Sequence, residues 1–282
     1  MKTGKSFWRI SLVCLLAVTV VACLQLDPVA SERMATGVAA PSTLSSSDTV
    51  ESASRTIINS ALQRPTRLAT DRTQDRRRKA AEVLDFFGIR PGMVVLDLYS
   101  GGGYYSELLS YIVGPTGRVV AHNNAFYLAR DKDELAVRYA NGRLRNVERI
   151  VAENNELKLE PDTFDAIIMI KVYHDVYYVN EKGGWEKIDR PKLLHELFTA
   201  LKPGGVLGIV DHVAAAGAPP ETGGTLHRID PALIKRDMAE AGFRFDGESN
   251  ILRNPDDDHS QSVFAPTVRG RTDRAVLRFR KP

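Results

Sequence analysis

The sequence predicts an α/β fold built on a parallel sheet, and three observations carry that prediction. Val94-Val-Leu-Asp-Leu98 is a run of branched apolar residues closed by a turn signal, the pattern of a central strand buried on both faces. It leads into Tyr99-Ser-Gly-Gly-Gly103 and then into Tyr104–Val113, which reads as a helix presenting its free N–H groups to the strand's end. Two more buried runs follow: Phe164-Asp-Ala-Ile-Ile-Met-Ile170 and, after a Pro-Gly-Gly turn, Val206-Leu-Gly-Ile-Val-Asp211. The glycines at 101–103 let the backbone take angles closed to other residues and approach a ligand closely. A nucleotide-like ligand is the expected occupant.

At the N-terminus, Lys2, Lys5 and Arg9 precede an apolar stretch from Ile10 to Ala22. Its flank and length suit a secretory signal, and it is too short to span a bilayer comfortably. Val20-Val-Ala-Cys23 resembles the lipobox of bacterial lipoproteins. Residues 1–22 are therefore expected to be a lipoprotein-type signal peptide, with Cys23 the lipidated first residue of the mature chain. The alternative is an ordinary signal peptide cut after Ala22 or further on. Residues 23–65 are rich in Ala, Ser and Thr, with Pro28 and Pro41, and read as a flexible tether in which Glu51 to Leu62 could form a short helix. The chain's 2 cysteines, Cys14 and Cys23, both lie in the leader. The mature domain thus has no disulfide, cysteine nucleophile or thiolate metal site.

Residues 66–282 then form a domain of about 215 residues, ample for one sizeable core. A net charge of +3, with 43% hydrophobic and 26% charged residues, gives no sign of a nucleic-acid binder. The basic run Arg76-Arg-Arg-Lys79 reads as the solvated face of the first helix. Ala80–Gly88 is an amphipathic helix ending in glycine, and Ile89-Arg-Pro-Gly-Met93 turns the chain into the first strand. Gly114-Pro-Thr-Gly117 turns it into a second strand over Arg118–His122. Asp230-Pro231 is a helix start, with Asp as cap and Pro in the first position. Asp256-Asp-Asp-His259 reads as an exposed acidic turn that lacks the interleaved spacing of a calcium loop.

Pro-Gly-x-x-Val-Leu-Asp-Leu at 91–98, Phe-Asp-x-Ile at 164–167 and Leu-Lys-Pro-Gly-Gly at 201–205, in that order, resemble the class I S-adenosylmethionine-dependent methyltransferases. His227-Arg-Ile-Asp-Pro231, Ala241-Gly-Phe243 and the stretch Arg271–Pro282 are similar to a branch of predicted bacterial methyltransferases made with export signals. The resemblance covers roughly Arg72 to the C-terminus. It implies a Rossmann-like, seven-stranded, mostly parallel doubly wound sheet with S-adenosyl-L-methionine held outside the strands' carboxyl ends.

On that resemblance Asp97, Tyr99, Ser100, Gly101, Gly102 and Gly103 wrap the methionine end of the cofactor, with Lys171 nearby. Glu153 is aligned with the acid that receives the adenine amino group, and Asn154 offers its backbone N–H to the ring. The family's usual acid at the end of the second strand is replaced by Asn123, within Ala121-His-Asn-Asn124. A neutral amide there gives up the charge-assisted strength of a carboxylate bond to ribose, worth about 1–2 kcal/mol. The same replacement counts against a nicotinamide dehydrogenase.

His174, Asp175, His212 and His227 fall where this fold places acceptor-facing groups, and histidine suits a general base near neutral pH. His227 and Arg228 are free to face a ligand. The Asn/Asp-Pro-Pro-Tyr signature of amide and exocyclic-amine methylation is missing after the fourth strand, where Lys171-Val-Tyr-His-Asp stands. The spacing of histidines and carboxylates matches no metal motif, so no metal is expected. The functional expectation is methyl transfer to a small molecule or envelope component by a domain lipid-anchored to a membrane in the exported cell envelope, with no nucleic-acid partner and oligomeric state left open. The alternative is a lipid-anchored, non-catalytic binding protein that reuses the fold.

Overall fold

The computed structural model describes residues 46–282, with side chains from residue 52 onward. The leader, Cys23 and most of the tether lie outside the described residues. Seven strands are present: β1 (Val94–Leu98), β2 (Arg118–Asn123), β3 (Val147–Val151), β4 (Phe164–Ile170), β5 (Leu201–His212), β6 (Arg244–Ser249) and β7 (Arg274–Arg280). They form one sheet in the order β3-β2-β1-β4-β5-β7-β6, and only the β7 pairings are antiparallel. Order reverses between β1 and β4, which is where an open α/β sheet leaves a crevice for ligands.

Nine α-helical segments connect these strands among the described residues: α1 (Ser46–Leu62), α2 (Ala69–Arg78), α3 (Ala80–Phe86), α4 (Tyr104–Val113), α5 (Ala125–Arg130), α6 (Lys132–Arg138), α7 (Arg190–Ala200), α8 (Thr222–Thr225) and α9 (Pro231–Glu240). The uninterrupted apolar runs of the central strands follow from burial on both sides. Along β4, Ile167 and Met169 join one core with α7 and α9, while Ala166 and Ile168 join the other with α1, α3 and α4. Gly208 in β5 is required by the second core: a Cβ there would lie 2.6 Å from the ring of Phe87. Asp230 caps α9 by accepting from Ala232 N–H at 2.8 Å, with Pro231 in the first turn, as the sequence predicts.

The helix expected within the tether is longer and belongs to the domain. Ile58 and Ala61 of α1 are buried against α3 and α4, and Arg55 pairs with Asp85 at 2.6 Å. The compact body therefore reaches back at least to residue 46 rather than beginning at 66, because α1 carries an apolar stripe that the α3 and α4 faces cover. The acidic turn at 256–259 also differs from expectation. Asp257 is buried in a two-bond pair with the fully buried Arg228, at 2.8 and 3.0 Å. Arg228 thus faces inward as a structural cation, since its guanidinium also donates to Val213 and Gln261 carbonyls.

The most connected buried cation is Arg138 at the end of α6. It donates to Asp71 of α2 at 2.7 Å, to Glu134 at 2.7 Å, to Glu107 of α4 and to the carbonyl of Gly102. Asp71, Glu107 and Arg138 are all fully buried. Removing one partner of such a group leaves uncompensated charge in a low-dielectric interior. Arg138→Met is expected to cost about 3–5 kcal/mol of stability in urea unfolding. A loss below about 1 kcal/mol, the value of an exposed pair, would show that the network is solvated.

Candidate active site

A cavity of about 520 Å³ opens at the carboxyl ends of β1, β4 and β5, within the range of small-molecule sites. One wall is the loop after β1. Gly101 and Gly103 hold φ of 57° and 81°, and Tyr99 takes φ 54°, so the strand ends in a left-handed kink that only glycine tolerates freely further on. Asp97, Tyr99, Ser100, Gly101 and Gly102 all line the cavity. Asp97 accepts from the Ser106 hydroxyl at 2.6 Å. Burial pushes its carboxyl up to about 7 against that hydrogen bond. The Ser100 hydroxyl is buried with no partner among the described residues, so a ligand group is the natural complement to it.

Three cations reach the same space. Lys171 follows β4 at φ 60°, and burial, reinforced by Arg78 and Arg274, pulls its amine down to about 7. Arg78 lies 4.1 Å over the Tyr104 ring, and Arg130 lies 4.2 Å over the Tyr127 ring while paired with Asp131 at 2.7 Å. Of the basic run, Arg76, Arg77 and Lys79 are exposed as the sequence predicts, but Arg78 turns into the cavity. An acidic group, an unpaired hydroxyl and cations around one space fit the ammonium and carboxylate of an amino-acid-like ligand.

The far wall is aromatic. Tyr99, Tyr127 and Trp185 pack against one another in tilted and edge-on contacts with ring centroids 5.7–5.8 Å apart, and Phe126 lies edge-on 5.6 Å from Trp185. At the mouth stand His174 and Asp175 in the helical turn after β4, His212 at the end of β5, and His227 after α8. His174 Nδ1 lies 2.8 Å from Asp211 of β5, leaving Nε2 toward Asp175 at 3.3 Å and His227 Nδ1 at 3.3 Å. Burial alone lowers His174, but the Asp211 and Asp175 carboxylates outweigh it and raise the imidazole to about 9. His212 is half-buried, and desolvation of its ring, with the charges of Lys171 and His174 nearby, pushes it well below the usual histidine range. Its Nδ1 lies 2.7 Å from the Thr272 hydroxyl. A parallel bridge between Val213 and Ile229 brings the His227 segment alongside β5.

Ten of the residues singled out in the sequence therefore meet in one cavity: Asp97, Tyr99, Ser100, Gly101, Gly102, Lys171, His174, Asp175, His212 and His227. Four do not line it. Gly103 packs beneath Arg138, where a Cβ would lie 2.7 Å from its side chain. Asn123 spends both ends of its amide on Gly101, accepting from N–H at 2.8 Å and donating to C=O at 3.0 Å. It clamps the glycine loop instead of offering itself to a ribose. Glu153 accepts from Ala125 N–H at 3.2 Å at the start of α5, and Asn154 accepts from Asn124 at 2.8 Å. These side-chain bonds link the β2 and β3 loops and leave the Asn154 backbone N–H, the group expected to meet the ring, out of them. Sequence reasoning missed Asp131 and Glu134, which line the cavity against Gly101 and Gly102. They follow β2 in the chain, where a carboxylate is wanted, but are displaced by one helix.

The comparisons with known proteins bear on this arrangement. The family described as "Methyltransferase domain" matches residues 89–242, more than half of the chain. The ubiquinone/menaquinone biosynthesis C-methyltransferase of Vibrio campbellii is 33% identical over 131 residues, covering 45% of this chain and 44% of that protein. The corresponding enzyme of Haemophilus ducreyi is 32% identical over 129 residues, with the same coverage. The chain thus spans less than half the length of the curated relatives it matches. Among solved structures, a SAM-dependent methyltransferase from Aquifex aeolicus superposes with a TM-score of 0.52 at 23% identity, covering 80% of this chain and 97% of that one. Phosphoethanolamine N-methyltransferase 2 of Haemonchus contortus, solved with S-adenosyl-L-methionine, gives 0.50 at 17% identity, covering 72% and 52%. These structural likenesses show the fold.

Asp97 makes a measurable prediction. Its folded carboxyl is raised to about 7 from 3.8, so the folded state holds a proton that the unfolded state has released in between. Stability from this group is full below pH about 4 and is lost as pH rises toward 7. Asp97→Asn should flatten the pH dependence of the unfolding free energy over that window, by an amount on the order of 3 kcal/mol. Parallel curves for the two proteins would contradict the assignment.

Proposed function

The chain belongs to the methyltransferase domain family, and from that premise we propose that it is an S-adenosylmethionine-dependent methyltransferase acting on a small molecule. The observation that carries the reading is one cavity with an amino-acid-like binding set on the β1 side and a histidine–carboxylate cluster on the β4–β5 side. Bound there, S-adenosylmethionine would supply a sulfonium methyl group for in-line displacement by an acceptor nucleophile. Asp97 answers an ammonium group, Ser100 supplies its unpaired hydroxyl, and Lys171 and Arg78 answer a carboxylate. The residues fit the methionine end well. At the adenosine end the acid expected after β2 is replaced by Asn123, Glu153 follows β3, and Asp131 and Glu134 are further carboxylates that line the cavity.

His174, Asp175, His212 and His227 stand at the acceptor side, where one of the imidazoles takes the proton of an acceptor hydroxyl as the methyl group arrives, or of an acceptor ammonium beforehand so that the free amine attacks. Tyr127, Trp185, Tyr178 and Phe264 give that mouth flat apolar walls, which favour an acceptor with a ring or another planar body. The curated relatives carry names for C-methylation in ubiquinone and menaquinone biosynthesis. Lipid attachment at Cys23 and placement in the exported cell envelope complete the proposal. They rest on the Lys2 to Cys23 leader pattern alone. No helix among the described residues is long and apolar enough to cross a membrane.

Calorimetric titration of the protein with S-adenosylmethionine and S-adenosylhomocysteine tests the reading. Micromolar binding is expected, with Asp97→Ala abolishing it in a domain that keeps its unfolding transition. Absence of heat and of thermal stabilisation at millimolar ligand would instead identify a binding module that uses the fold for another purpose. Separately, Cys23→Ser should release the protein from the membrane fraction of the producing cells. A variant that still sediments with membranes would refute lipidation at that residue.

A further inference from the structure

We propose that His174, Asp175 and His227 bind one divalent transition-metal ion, zinc by geometry, at the acceptor end of the cavity. The sequence positions of these three residues match no ligand motif, because two lie in the turn after β4 and the third lies beyond β5 and α8. The fold brings them together. The three inward atoms, His174 Nε2, Asp175 Oδ1 and His227 Nδ1, form a triangle with edges of 3.3, 3.3 and 3.8 Å. Metal bonds of about 2.0–2.2 Å at the tetrahedral angle place donor atoms about 3.3–3.6 Å apart. A right-angled octahedral face with the same bond lengths would bring them to about 3.0 Å. The triangle therefore suits a four-coordinate ion.

The outward atoms of two ligands are already engaged. His174 Nδ1 lies 2.8 Å from Asp211, an arrangement that fixes the tautomer in which Nε2 carries the free lone pair. Asp211 itself is held by the backbone N–H groups of His174 and His212, at 2.8 and 2.7 Å. Asp175 Oδ2 accepts from the Tyr127 hydroxyl at 2.9 Å, which aims Oδ1 at the histidines. Carboxylate–histidine–metal relays and hydrogen-bonded ligand carboxylates are what orient metal ligands elsewhere. A single proton can bridge one edge of the triangle, whereas a divalent ion engages all three atoms. Two imidazoles and one carboxylate select zinc and its transition-metal neighbours over magnesium or calcium. All three residues line the cavity, so the fourth coordination position opens toward whatever ligand enters it. That is the arrangement of a reactive metal site, as opposed to a closed structural one.

The inference is independent of methyl transfer, since metal binding needs no cofactor. It is tested on the full chain by titrating zinc against a chromophoric chelator and cobalt(II) by its visible d–d absorption. One equivalent of zinc is expected to bind at micromolar affinity or tighter, with cobalt giving the intense bands of a four-coordinate ion. His227→Ala, which alters the most exposed ligand and leaves the core intact, should weaken binding at least tenfold and weaken the cobalt bands. Asp211→Asn should weaken it about 10–100-fold by releasing His174. No stoichiometric binding would overturn the proposal. So would zinc binding or zinc-dependent thermal stabilisation that survives unchanged in both His227→Ala and His174→Ala.

Discussion

One buried guanidinium sets the shape of the cavity wall. Arg138 sits where α2, α4, α6 and the glycine loop converge, and each sends it an acceptor: Asp71, Glu107, Glu134 and the Gly102 carbonyl. A fixed planar fork can satisfy several acceptors only if the backbones that carry them stand at fixed separations. The glycine loop is thereby pinned from below by Arg138 and from the side by Asn123. Both contacts use polar groups that a solvent-facing loop would have left to water. The result is a preorganised loop that presents Asp97 and Ser100 to the cavity without having to order itself around a ligand.

The fold was legible in the sequence because its strands are buried on both faces and its turns carry glycine or proline. The stretch 94–113 and the run 164–170 occur as read, while β5 extends the expected strand at both ends, back through the Pro-Gly-Gly turn to Leu201 and on to His212. The helix at Ser46–Leu62 was half-visible, since its apolar stripe lies in a composition that otherwise reads as tether. The site was legible where it hangs on strand ends. Asp97, Lys171, His174 and His212 each follow or close a strand, so topology alone places them at one end of the sheet.

What was not legible is the partner of each polar group. Asn123 and Glu153 sit at the expected positions, yet their side chains bond to neighbouring loops. Arg228, beside His227 in sequence, turns inward because Asp257 lies 29 residues away in the chain but within bonding distance in space. Adjacent residues on a loop can point to opposite sides, and only the tertiary partner decides which one meets the ligand. The same reasoning explains the histidine cluster. His174 and His227 are 53 positions apart and come within 3.3 Å only because the Val213–Ile229 bridge lays one segment along β5.

Strand β7, the last element of the described chain, is threaded between β5 and β6. A nascent chain that has not yet produced Arg274–Arg280 exposes the whole edge of β5 from Val206 to His212, and leaves β6 with no sheet to join. Until β7 arrives the sheet therefore carries an open edge along β5, of the kind that recruits other strands.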